Sequence, residues 1–271
     1  MGFLIDQGNQ IMPERARRVF VTGGTGFLGY RVVRALLEQG AEVTVLVPPD
    51  GEDKLGNLRG RVSCVQGDVW NPGSLRGRAR GHQVVVHLVG GTRPDAKRGL
   101  TFRHLNFVSA RNVAQMAVGD GVPHLVFLSA SASPFGVPGG YLDSKHEAED
   151  YVRRTGLTWT IVRAPALYAP GQRRNLLYVL IAILSYIPLV GLLLAAYRAM
   201  PVDLAARGIA SLALSGDAIR DRVVSPRQLR SLGRAAEKQA APHPGMILPV
   251  SDDEPGLDEP PFGWLPPSDR Q

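Results

Sequence analysis

Residues 18–47 read RVFVTGGTGFLGYRVVRALLEQGAEVTVLV. Two runs rich in β-branched residues, 19–22 and 42–47, flank a segment of different period. Strands buried on both faces read as continuous apolar runs of this kind. Between them Val33, Leu36 and Leu37 fall on one helical face, and Gly40 is a helix stop. The order is therefore strand, helix, strand. The first joint is TGGTGFLG, with Gly23, Gly26 and Gly29 spaced Gly-x-x-Gly-x-x-Gly. A helix N-terminus offers N–H groups and partial positive charge, which suits a pyrophosphate. Glycines there permit the tight turn, the close approach of phosphates and close packing of helix on strand. A Gly-rich turn alone is common, but its place between strand and helix makes it a nucleotide signal. Gly23, Thr25, Gly26, Phe27, Leu28 and Gly29 are the expected contacts.

Further strands follow in RVSCVQGD (61–68), HQVVVHLVG (82–90), PHLVFLSAS (123–131) and LTWTIVRAPALY (157–168). FRHLNFVSARNVAQMAVGDG (102–121) is helical in pattern and ends in a Gly turn. Strands alternating with helices predict an α/β fold with a doubly wound parallel sheet, Rossmann-like in type. Residues 1–17 read as a loose lead-in and 18–224 as the nucleotide-binding domain, with a small C-terminal helical lobe from 171–224. From 225 to 271 the chain is rich in Pro, Gly and charge, and the expectation is a disordered tail.

Composition narrows the function. The formal net charge is +7 over 271 residues, although Asp252, Asp253, Glu254, Asp258 and Glu259 make the tail acidic. No zinc spacing or aromatic RNA-binding motif accompanies the basic charge, so no nucleic-acid partner is expected. Cys64 is the only cysteine, which rules out an intrachain disulfide and fits a reducing compartment. MGFLIDQGNQIMPERARR (1–18) has too short an apolar stretch for a signal peptide. Asp6 stands where a myristoylation signal wants Ser or Thr. A cytoplasmic protein is expected. His87, His104, His124 and His146 share no metal-ligand spacing and read as core or surface residues, so no metal site is expected.

From about residue 18 to 210 the chain resembles extended or atypical short-chain dehydrogenases/reductases. The glycine loop carries part of the likeness. GDVWNP (67–72) resembles the family's Gly-Asp-hydrophobic turn, which implies that Asp68 and Val69 flank the adenine. VVVHLVGG (84–91) resembles the strand end that passes under the cofactor, at Val89 and Gly90. LNFVSARNVAQMA (105–117) resembles the family's Asn-led helix, with Asn106 leading. TWTIVRAPALYAPGQ (158–172) resembles the segment near the nicotinamide, with Arg163-Ala164-Pro165 where the family usually has Arg-Pro. The branch it looks most like holds the NADPH-binding accessory subunit of respiratory complex I and bacterial epimerase-like proteins.

The cofactor implied is NAD or NADP. Asp50, in LVPPDGEDK (46–54), lies where an acidic residue bonds the ribose 2′-OH and repels a 2′-phosphate, which favours NAD. The Arg common after this strand in NADP-using relatives is replaced by Pro48. A solvated loop of Asp50, Glu52 and Asp53 accounts for the same residues.

GGYLDSKHEAEDYV (139–152) sets Tyr141 four residues before Lys145, on one helical face. A phenol has a pKa near 10 and is a poor acid–base catalyst until a nearby cation favours its phenolate. The resemblance implies Tyr141 as acid/base and Lys145 as its modulator and ribose ligand. It implies Ser131 in LSASASPFG (128–136) as ligand of the reacting oxygen, with Ser129 and Ser133 as rivals. The activity expected is an NAD(P)-dependent oxidoreductase or epimerase acting at a carbinol or carbonyl carbon of a small molecule. The alternative is a non-catalytic NAD(P)H-binding subunit or sensor of a larger, membrane-associated complex.

One stretch fits no nucleotide-binding role. No charge lies between Arg174 and Arg198, over NLLYVLIAILSYIPLVGLLLAAY. A bilayer span takes roughly 20 apolar residues. Pro188 and Gly191 interrupt the run. One crossing would also strand the segments on either side of it on opposite faces of the membrane. The expectation is an apolar lid over 171–200. Through 176–197 it would meet a lipid-like substrate, another subunit or the inner membrane surface, flanked by Arg173, Arg174 and Arg198.

Overall fold

The computed structural model describes residues 16–49, 51–94, 99–133, 137–169, 199–216 and 220–239. Strand β1 (Arg18–Thr22) is buried from its second residue, as its unbroken apolar run requires. Helix α1 (Phe27–Glu38) returns to β2 (Glu42–Val47), with Gly40 in the left-handed conformation that lets the chain turn. A 3-10 segment (Glu52–Arg61), kinked at Gly56, leads to β3 (Ser63–Gln66). The short α2 (Pro72–Leu75) has Pro at its start and the Asn71 side chain accepting from the Gly73 N–H. Next come β4 (Val84–His87), a π-turn (His104–Val108) running into α3 (Ser109–Gly119), and β5 (His124–Ala130). Helix α4 (Gly140–Arg153) and β6 (Thr158–Ala164) follow.

The strands form one parallel sheet in the order β3-β2-β1-β4-β5-β6, extended by β9 (Arg222–Val224). Strand order reverses between β1 and β4. In open α/β sheets that crevice, outside the C-terminal strand ends, is where ligands bind. Two apolar clusters pack on the two faces of the sheet. One unites Val33 and Leu36 of α1 with Ala206 and Ile209 of α5 (Val202–Leu214). The other unites Phe20, Phe127, Val113 and Ala148. The doubly wound α/β expectation holds.

The segment after the apolar run returns to the same domain. Strand β8 (Met200–Pro201) pairs with β7 (Leu167–Tyr168), and α5 packs back onto α1. Arg34 and Arg31 reach Asp203 at 2.9 and 3.4 Å across that contact. The described part of the expected lobe is thus continuous with the main sheet, which gains β9 as a seventh strand.

The expected tail from 225 needs correction. Residues Pro226–Gln239 form helix α6, packed on α5. Leu229, Gly233 and Ala236 are buried at helical spacing, and Gly233 lets the helix lie against the Leu204 backbone. The Pro, Gly and Arg content masks that stripe in the sequence. Residues 240–271, the lead-in to residue 15, and the apolar run within 170–198 lie outside the described residues. No helix among the described residues is long and apolar enough to cross a membrane.

Candidate active site

The glycine loop closes β1 onto α1. Gly23 has φ +79° and its N–H-to-carbonyl turn is shut by Gly26 N donating to Gly23 O at 3.2 Å. A Cβ on Gly29 would lie 1.8 Å from the Gly23 carbonyl oxygen, so helix and loop touch through backbone alone. Gly26 is the N-cap and makes no side-chain cap, so no capping oxygen occupies the first-turn N–H groups of α1. Thr25 Oγ1 is buried beside them without a hydrogen-bond partner. This is a cradle with donors and, among the described residues, no side-chain acceptor on them.

At the neighbouring strand end, Val89 and Gly90 are buried against the loop. A Cβ on Gly90 would lie 2.7 Å from both Lys145 Nζ and Asn106 Oδ1. Gly90 therefore brings the β4 end, the π-turn and α4 together. Asn106 Oδ1 accepts from Gly91 N at 2.9 Å, and its Nδ2 donates to Gly91 O and to Ser144 Oγ, both at 3.1 Å. Ser144 Oγ donates to Tyr141 O at 2.6 Å. The π-turn, a bulge common at functional sites, aims Asn106 into this junction.

Lys145 is fully buried and donates to the Leu128 carbonyl at 3.0 Å. Burial pulls its pKa down to about 7, while Glu149 acts the other way. Tyr141 is one turn earlier on α4, packed edge-on to Phe102, and burial pushes its phenol above the ordinary value. The three serines separate by partner. Ser129 Oγ donates to Glu149 at 2.6 Å and is committed there. Ser131 and Ser133 have buried hydroxyls with no partner, and Ser131 N donates to Ala164 O at 2.9 Å. Arg163-Ala164-Pro165 keeps β6 regular through Ala164, and Arg163 pairs with Glu149.

Asp68 accepts from Trp70 N at 2.8 Å, and Val69 is buried with its carbonyl held by Asn112 Nδ2 at 2.9 Å. Trp70 stacks on His104, which ties this turn to the π-turn. Asp50 lies outside the described residues. Glu52 and Asp53 pair with Arg59 at 3.1 and 2.7 Å, and Asp53 is 85% exposed, as the solvated-loop reading has it. His87, expected in the core or at the surface, belongs to the core. It is buried, its Nδ1 2.7 Å from Thr22 Oγ1, and burial and Lys145 drive its pKa to about 3. Glu149 was not singled out in the sequence. Its one available signal was a position four residues beyond Lys145, on the same helical face.

A family model described as NAD(P)H-binding matches residues 23–179, more than half of the chain and all of the loop, junction and serine strand just described. The chain belongs to this NAD(P)H-binding family. The resemblance to extended short-chain dehydrogenases/reductases holds across its relatives. Ceramide reductase of Caulobacter vibrioides is 34% identical over 158 residues, covering 58% of this chain and 49% of that protein. Mouse sterol-4-alpha-carboxylate 3-dehydrogenase, decarboxylating, is 31% identical over 122 residues, covering 45% of this chain and 32% of that protein. The chain spans about half the length, or less, of the curated relatives it matches. In fold it is similar to a dTDP-glucose 4,6-dehydratase from Streptomyces venezuelae solved with NAD bound. The TM-score is 0.59 at 24% identity, covering 82% of this chain and 80% of that one.

The residues of this NAD(P)H-binding domain fit a dinucleotide. The Gly29–Gly23 contact brings helix and loop together through backbone alone, and Thr25 Oγ1, in the same loop, is a buried hydroxyl without a partner, which suits a pyrophosphate.

Proposed function

We propose that the chain is an NAD(P)-dependent oxidoreductase or epimerase acting on a carbinol or carbonyl carbon. One observation carries this reading: Lys145, Asn106 and Gly90 meet at the strand-order reversal, with Tyr141 one helical turn from Lys145. Bound NAD(P) would supply hydride chemistry. Gly23, Thr25, Gly26, Phe27, Leu28 and Gly29 would hold its pyrophosphate. Asp68 and Val69 would border the adenine, and Val89 and Gly90 would lie under the cofactor. Lys145 would bond the ribose hydroxyls and supply the positive charge that favours the Tyr141 phenolate. Tyr141 would exchange the proton of the reacting oxygen. Ser131, with its buried and unpartnered hydroxyl, would donate to that oxygen. Ser133 has the same property and stays a rival, whereas Ser129 is occupied by Glu149. Isothermal titration with NADH and NADPH tests the first step, and absence of binding to either refutes the reading.

For the ribose, the proposal keeps Asp50 as the residue that selects NAD. Asp50→Arg is expected to raise NADPH affinity relative to NADH by about tenfold, the worth of one charge-assisted hydrogen bond. Titration with both cofactors measures the ratio, and an unchanged ratio removes Asp50 from cofactor choice.

The substrate proposed is bulky and apolar. Relatives named for ceramide and sterol carboxylate support this, as does the uncharged run of this chain before Arg198. The same run suits contact with an anionic membrane surface from the cytoplasmic side, with Arg173, Arg174 and Arg198 against head groups. A carbonate wash of isolated membranes is expected to release the protein. Retention with the lipid would favour a span.

A second reading also has an observation in its favour. Tyr141 is 3% exposed and its phenol is held neutral by burial, as suits a nucleotide-bound subunit without turnover.

A further inference from the structure

Glu149 is fully buried, and its carboxylate is held at both oxygens. Ser129 Oγ at 2.6 Å and Arg163 Nε at 2.9 Å reach Oε1. Arg163 at 2.7 Å and Arg153 at 2.9 Å reach Oε2. Neutralising a buried carboxylate takes one cation, and this one has two plus a hydroxyl. The excess builds a lattice across α4, β5 and β6. One arm runs through Ser129 to its neighbour Leu128, whose carbonyl accepts from Lys145. The other runs through Arg163 to its neighbour Ala164, whose carbonyl accepts the N–H of Ser131. Glu149 also stands one helical turn beyond Lys145, so its charge favours the ammonium directly.

Resting on the catalytic reading above, we infer that Glu149 is a positioning residue that keeps Lys145 charged and in place and fixes the strand end bearing Ser131. The other groups that act on Lys145 do not substitute for it. His87 from β4 is neutral over the working range, because burial drives its pKa to about 3. Tyr141, on the same helix, is a neutral phenol pushed up by burial. Arg153 of α4 and Arg163 of β6 lie on Glu149 and carry the opposite sign. Among these described groups, Glu149 is the anion that offsets the burial of Lys145.

The chain has four lysines, Lys54, Lys97, Lys145 and Lys238, so its side-chain carbons can be followed one by one after ¹³C-lysine labelling. Lys145→Met assigns the resonance of interest. Glu149→Gln removes the anion and leaves two guanidiniums behind, so the Lys145 midpoint should fall by about half to one pH unit. Arg163→Gln removes a cation from the same pair, so the midpoint should rise. Ser129→Ala alters no charge and should leave it in place. Shifts of opposite sign in the two charge variants support the inference. A midpoint that stays put, or that moves the same way in both, overturns it. Should Glu149→Gln fail to fold, the Arg163→Gln titration decides alone: a rise supports the coupling and its absence overturns it. NADH titration of the unaltered protein is read separately. Failure to bind fails the catalytic reading and leaves the midpoints to judge Glu149, whereas unmoved midpoints fail Glu149 and leave the catalytic reading.

Discussion

Gly29→Ala is expected to reduce NAD(P)H affinity by about 10- to 100-fold. The added methyl carbon would lie 1.8 Å from the Gly23 carbonyl oxygen and 2.8 Å from Gly24 Cα, and both neighbours are backbone. No side-chain rotation relieves such a contact. Either α1 lifts from the loop or the loop opens, and both moves pull the helix N-terminus away from the phosphates. Overpacking in a rigid site costs on the order of 1–3 kcal/mol, and each 1.4 kcal/mol is about tenfold in affinity. The control is Gly119→Ala at the end of α3, where the methyl would meet nothing within 4 Å. It should bind as the unaltered protein does. Titration calorimetry on both variants, with thermal melts to confirm folding, makes the comparison. Equal affinities would mean that the loop does not hold the phosphates.

Tyr141→Phe keeps the ring against Phe102 and deletes only the phenolic oxygen. Turnover should fall roughly 100- to 10,000-fold, the usual contribution of general acid–base catalysis. Cofactor affinity should stay within about twofold, because the proposed ribose and phosphate contacts lie on other residues. The pH dependence carries a sign. Lys145 has a pKa drawn down to about 7 by burial, with Glu149 opposing the fall. Its charge, proposed to favour the phenolate, is present below that pH in the cofactor-free protein and is lost as pH rises through it. Cofactor-free protein should therefore bind and activate less well on the alkaline side. A pH–rate profile for kcat/KM, taken once a substrate is identified among apolar carbinols, reads this limb. A Phe variant with undiminished turnover would point to the non-catalytic subunit.

The sheet was legible because β1, β2, β4, β5 and β6 are apolar runs too continuous for loops, and the glycine spacing fixed where the first of them ends. Strand β9 was not legible: its three residues, Arg222 among them, carry no periodic signal and owe their place to pairing with β6. Helix α6 was missed because its buried positions are Gly and Ala as much as Leu, and small residues in an Arg-rich segment read as polar chain. At the candidate site, four-residue spacing was enough to put Tyr141 and Lys145 one turn apart on α4. It did not rank Ser129, Ser131 and Ser133, whose roles differ by which one meets Glu149. Ser129 and Arg163 are partners in the register of β5 against β6, and α4 lays Glu149 across both, a meeting that no local spacing announces.

The packing of α5 on α1 has a consequence for biosynthesis. Val33 and Leu36 share one cluster with Ala206 and Ile209, and Asp203 closes on Arg31 and Arg34. Helix α1 ends at Glu38 and α5 at Leu214, so its cover is made long after it is. At about 5–20 residues per second, a ribosome leaves that apolar face without its partner for roughly 10–35 s. During that interval the exposed face should bind holdase chaperones, and ribosome-stalled fragments ending before α5 should be retained by them where full-length chains are released.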